Sequence, residues 1–123
     1  MLKLTMCVRR LPRLTRQEFD GYWLDHHGPL VRTHQDALRI RHYVQTLAMD
    51  NPAAQEALQV HRDALEFEFD GCAELWWDSL DDHVAARKTS EGVAALRDLL
   101  EDERRFVDLT HSQLWYGTER QII

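Results

Sequence analysis

The sequence predicts an α+β fold: an antiparallel four-stranded sheet with helices on one face, in the split, ferredoxin-like order βαββαβ. Three observations carry that prediction. Strand-like segments recur at residues 2–10, 39–48, 67–77 and 107–117. Capped stretches with helical spacing separate the first from the second and the third from the fourth. The 123 residues, 44% hydrophobic and 29% charged, show no internal repeat, linker or second domain, so residues 1–123 are expected to form one domain around one core.

In the first strand Leu2, Leu4, Met6 and Val8 fall on one face, and Lys3, Thr5, Cys7 and Arg9 on the other. A turn follows at Leu11-Pro12-Arg13. Thr15 and Glu18, three residues apart, have the pattern of a capping box. Phe19 and Trp23 are one helical turn apart, as are Tyr22 and His26. The helix is predicted to stop at His27-Gly28-Pro29, with Gly28 in a left-handed conformation and Pro29 blocking continuation. A second helical piece is expected from Leu30 to Ala37.

Residues 39–48 are rich in β-branched and aromatic side chains. Asn51-Pro52 fits a cap followed by a first helical position, and residues 53–65 place Ala54, Ala57, Leu58 and Leu65 near one stripe. This insert, residues 49–66, is expected to be helical or irregular and to lie over the sheet edge or a pocket mouth, as long connections often do. In the third strand Phe69, Gly71, Ala73, Leu75 and Trp77 share one face; Asp70, Cys72, Glu74 and Trp76 share the other. Ser79 or Asp78 should cap a short helix through Arg87. Ser90 should cap a longer one through Arg105, with Val93, Leu96, Leu99 and Leu100 inward. The last strand puts Leu109, His111, Gln113 and Trp115 on one side. Helices on one face leave the other face bare, and a second subunit or a ligand must cover it.

Acidic residues outnumber basic ones by 21 to 15, for a net charge of -6. Neither nucleic acid nor an anionic membrane is an expected partner, because both need clustered Lys and Arg. No apolar run approaches the ~20 residues of a membrane helix. Arg9-Arg10 follows the apolar Met1–Val8 rather than preceding it, so no export signal is read there. Cys7 and Cys72 form no CxxC pair; a reduced, cytoplasmic protein with inert thiols is expected. The seven histidines show no HxxxH or HExxH spacing, and the five glycines form no phosphate loop, so no metal site and no cofactor are expected.

Tyr22-Trp23-Leu24-Asp25-His26-His27-Gly28-Pro29-Leu30-Val31 resembles the YWxxxHxPLV signature of the EthD family, named for a protein of ethyl tert-butyl ether degradation. Asp70-Gly71-Cys72-Ala73-Glu74-Leu75-Trp76-Trp77-Asp78-Ser79 is similar to that family's DGxAELWxDS strand, and Tyr43-Val44-Gln45 fits its second strand. The resemblance implies a homodimeric α+β barrel, two sheets packed face to face. It also implies a small hydrophobic pocket between sheet and helices or inside the barrel. Members and relatives of the superfamily include polyketide cyclases, dehydratases, muconolactone-type isomerases and cofactor-free monooxygenases. Haem proteins also occur among them, and EthD itself accompanies a cytochrome P450 system. His26 beside the family's His27 is a departure that raises the question of which histidine faces the pocket.

His27 ends a predicted helix, and its ordinary pKa near 6.5 suits acid–base work at neutral pH; a helix cap is its competing role. His26 should pack on Tyr22 or face solvent. Glu74, mid-strand among apolar residues, is the second catalytic candidate; the competing reading is a structural carboxylate with a donor partner. Tyr43 and His111 are candidate substrate-binding groups, each a polar tip on an apolar body. Trp23 and Trp76 are candidate walls for a flat or apolar ligand. These residues predict a cofactor-free enzyme moving a proton on a small apolar carbonyl or phenolic metabolite: cyclisation, dehydration, isomerisation or oxidation. The alternative is a non-catalytic carrier or accessory protein for a hydrophobic metabolite, for example beside a monooxygenase system.

Overall fold

The computed structural model describes residues 1–123. Four strands, β1 (Leu2–Val8), β2 (His42–Leu47), β3 (Gly71–Trp77) and β4 (Gln113–Thr118), form one sheet in the order β2-β3-β1-β4. Every neighbouring pair is antiparallel. The helices are α1 (Arg16–Tyr22), α2 (Gly28–Thr33), α3 (Gln35–Leu38), α4 (Pro52–Val60), α5 (Leu80–Ala86) and α6 (Ser90–Glu103). This is the ferredoxin-like α+β fold. No helix is long and apolar enough to cross a membrane.

The two-residue alternation decides the core. Met6, Val8, Ala73, Leu75 and Trp77 point inward and meet Phe19, Trp23, Val31, Leu38, Leu99 and Phe106 from the helical layer. The Trp77 indole N–H donates to the Leu38 carbonyl at 2.7 Å, so its polar atom is satisfied on burial. On the outer face β1 and β3 place Thr5 opposite Glu74 and Cys7 opposite Cys72, with Trp115 of β4 opposite Thr5.

Thr15 caps α1 in the expected box, with both reciprocal hydrogen bonds made. The helix does not stop at Gly28, however. Gly28 is right-handed helical, and its N–H reaches the Trp23 carbonyl five residues back. Residues Trp23–His27 thus make a wide π-turn. Pro29 has no N–H, and its ring would collide with the carbonyl four residues earlier in a regular helix. The π-turn absorbs that misfit, and the chain runs on into α2 and α3.

Other boundaries shift for local reasons. Thr89, not Ser90, caps α6 by accepting from the Gly92 N–H at 2.9 Å. The inward stripe of α6 is Gly92, Ala95, Leu99 and Asp102, while Val93 and Leu100 are exposed. Phe69 precedes β3, and residues Leu109–His111 form a 3-10 turn ahead of β4. The insert contains the expected helix, α4, capped by Asn51, but none of its residues is buried. Its residues line a separate shallow depression with Asp63 and Phe67, and neither the sheet-and-helix cavity nor the groove beside β2.

Candidate functional site

Between the sheet and the helical layer lies a cavity of about 90 Å³. Of its 16 lining residues 14 are hydrophobic, and the other two are His27 and Glu103. Tyr43 and Trp23 also line it. The π-turn delivers His27, the C-terminal end of α6 delivers Glu103, and β2 delivers Tyr43.

Asp102 organises one side of this cavity. It sits on the buried stripe of α6 and is wholly excluded from solvent. A buried carboxylate must collect donors, and it collects three. The Tyr22 hydroxyl donates to Oδ1 at 2.5 Å, Arg105 Nη1 donates to Oδ1 at 3.0 Å, and His27 Nδ1 donates to Oδ2 at 2.8 Å. These bonds hold its carboxyl below the usual range against the upward push of burial. The His27 ring packs on Phe106, 5.0 Å between centroids. Donation from Nδ1 fixes the tautomer and leaves Nε2 as a free acceptor. Burial lowers the His27 pKa, and the Asp102 bond opposes that only in part, so the imidazole is neutral at pH 7.

Glu103 is the complement. Burial, then the neighbouring Asp102 charge, pushes its carboxyl up to about 7. A carboxyl near neutrality can give or take a proton. Tyr43 accepts a hydrogen bond from Gln45 Nε2 at 3.0 Å, which leaves its O–H free to donate. Burial raises its pKa and keeps that proton in place. Gln45 also donates to the Trp23 carbonyl at 2.8 Å, tying β2 to the π-turn.

The structure brings together His27, Tyr43 and Trp23, and separates the other candidates from them. Tyr43 lies opposite Leu75 and shares the inner face; Val44 lies opposite Glu74 and shares the outer one. Glu74 therefore sits across the sheet from the cavity, ion-paired with Lys3. Trp76 is on that outer face too, with Lys3 Nζ 5.0 Å above its ring. His111 lies in the 3-10 turn, exposed, with Nδ1 2.8 Å from Asp108. A cavity holding Glu74, His111 and Tyr43 together is thus corrected: strand parity puts Glu74 on the wrong face, and His111 is not on a strand. His26 stacks on Tyr22 at 4.6 Å and is exposed, as its spacing predicts. No group of His, Cys, Asp and Glu side chains is arranged to hold a metal ion. Burial, with Cys7 beside it, raises the Cys72 thiol to about 11, which suppresses the thiolate.

The fold and this polar-on-apolar cavity define a ferredoxin-like α+β protein with a small internal pocket. The EthD domain profile matches residues 11–110, and the chain belongs to the EthD family. An EthD family protein from Bacillus halodurans superposes with a TM-score of 0.64 at 23% identity, covering 98% of this chain and 99% of that one. An EthD-like protein from Ralstonia eutropha gives 0.60 at 15% identity, covering 97% and 94%. SnoaB, a cofactor-independent oxygenase from Streptomyces nogalater, gives 0.51 at 13% identity, covering 99% and 95%. Among curated proteins no match was found.

Proposed function

We propose that the protein is a small-molecule enzyme that moves a proton on a carbonyl ligand whose compact reacting end is held between its sheet and helices. The observation that carries this reading is the pairing of a neutral, Asp102-oriented His27 with a near-neutral Glu103 as the two non-hydrophobic residues of one apolar cavity. His27 Nε2 would take a proton from the carbon next to a carbonyl. Asp102 would stabilise the imidazolium so formed. Glu103 or the Tyr43 hydroxyl would donate to the developing enolate oxygen. Return of the proton to a different atom completes a tautomerisation; in a β-hydroxy carbonyl, cleavage of the β-carbon–oxygen bond, with the proton held on His27 passing to the departing hydroxyl, releases water and completes a dehydration. The chain's own side chains suffice for such steps, and the likeness to a cofactor-independent oxygenase is consistent with this chemistry.

The test is solvent-deuterium incorporation beside the carbonyl of a panel of small ketones and β-dicarbonyls, followed by NMR. Wild-type protein should accelerate exchange in at least one compound. His27→Ala should lower that rate by about 10²–10⁴, the usual contribution of general acid–base catalysis, and His26→Ala should leave it nearly unchanged. No exchange above buffer across the panel, or full activity in His27→Ala, overturns the reading. Tight binding without exchange would instead select the carrier reading, which the largely apolar lining also fits.

A further inference from the structure

We propose that the open groove beside β2 binds the anionic arm of the ligand whose reacting end enters the inner cavity, so that the substrate is an oxo-acid rather than a neutral molecule. This rests on the proton-transfer reading for the reacting end, but its charge argument stands on separate residues, Arg32 and Arg41.

The inner cavity, about 90 Å³, is smaller than the ~150 Å³ void that admits benzene. Only a compact head fits there, and the remainder of any larger ligand must lie elsewhere. The groove offers about 510 Å³ on the other side of a wall one side chain thick. Trp23, Val31, Ile40 and Tyr43 line both spaces. Trp23, Val31 and Ile40 are buried, whereas Tyr43 is half-buried on an edge strand. Of these four wall residues Tyr43 alone is open to solvent, so a ligand spanning both spaces would pass its ring.

Charge decides which ligand the groove favours. The protein carries a net charge of -6, yet two arginines and a single carboxylate, Asp20, line the groove. Arg32 projects from the last turn of α2, is exposed, and pairs with no carboxylate. Arg41 meets Asp78 only at 3.5 Å. Arg39, just outside the groove, is by contrast firmly bonded to Asp82 at 2.6 Å. An uncommitted guanidinium at the open end of an otherwise acidic molecule fits a carboxylate, which it can hold bidentately.

The experiment compares 4-oxopentanoate, 5-oxohexanoate and 6-oxoheptanoate with their methyl esters. Binding is read by amide chemical-shift titration at low salt, with melting temperatures checked for each variant. At least one acid should bind about twofold to fivefold more tightly than its ester, the range of an exposed ion pair, and shift the Arg32 and Gln45 signals. Arg32→Gln should abolish the preference, Arg32→Lys should keep part of it, and Lys88→Gln, an exposed cation outside the groove, should retain it in full. Equal affinity of acid and ester, an undiminished preference in Arg32→Gln, or no binding by any of the compounds overturns the proposal. Acid preference without any deuterium exchange would instead sink the proton-transfer reading and leave the groove assignment standing.

Discussion

Asp102 and Glu103 are adjacent on one helix and burial pushes both carboxyls up, yet their pKa values move in opposite directions because only Asp102 has donors that outweigh that push. Folding raises the Glu103 carboxyl from an ordinary 4.5 to about 7. The folded protein therefore holds a proton that the unfolded chain releases. The corresponding stability is complete below pH 4.5 and is lost as pH rises through 7. Glu103→Gln removes this dependence, and urea unfolding at pH 5 and pH 8 should show the variant gaining about 2.5 kcal/mol on wild type between the two. Asp102 has the reverse sign. Its lowered pKa contributes stability above the ordinary value of 3.8, lost as pH falls through the folded value. His27, also lowered, resists protonation in the folded state, so its contribution is present above 6.5 and fades as pH falls. Asp102→Ala leaves the Tyr22 hydroxyl, Arg105 and the His27 N–H without their acceptor. It should destabilise the protein by about 3 kcal/mol in the same assay and lower any exchange activity along with it.

At the level of elements, the site depends on how closely the π-turn approaches the sheet. A Cβ at Gly71 would stand 2.5 Å from the Thr46 carbonyl oxygen and 2.8 Å from the Trp23 ring. Glycine there lets β2, β3 and the π-turn close on one another. Gly71→Ala should cost about 2 kcal/mol by overpacking, measured by thermal unfolding, and should displace the Trp23 wall. The insert helix α4 has no such dependence. With no buried residue, its amides should exchange with deuterium much faster than those of α6, whose stripe includes four buried positions. Protection of α4 equal to that of α6 would contradict its free-standing placement.

For the whole molecule, the outer sheet face remains to be covered. Trp115 is 55% exposed there and Val44 44%, while the Thr5 hydroxyl is buried without a partner. Such a face fits a second copy of the chain, and we propose a homodimer across it, burying more than ~1,000 Å² in total. Light scattering at micromolar concentration should give twice the 14.5 kDa chain mass. Trp115→Glu should convert the dimer to monomer without altering the inner cavity, from which Trp115 is absent. A wild-type monomer would refute the assembly.

The sequence by itself determined the element order, the inward faces of β1 and β3, the Thr15 capping box and the stacking of His26 on Tyr22. Each of these follows from short-range periodicity or from bonds within one turn. It also marked Tyr43 and Trp23. It did not reveal that Gly28 continues a helix, because Gly before Pro reads as a stop unless a π-turn makes room for the proline ring. Nor did it join Asp102 and Glu103 to His27, since 75 residues separate the Asp102–His27 partners. Their one signal was an acidic pair at the end of the stripe running through Leu96 and Leu99, where a carboxylate needs a donor to be buried. The choice of Glu74 failed on strand parity: its register with Val44 turns it outward, toward Lys3. Which residues share a cavity is set by the packing of helices on the sheet, and pairings of that range exist only in the tertiary structure.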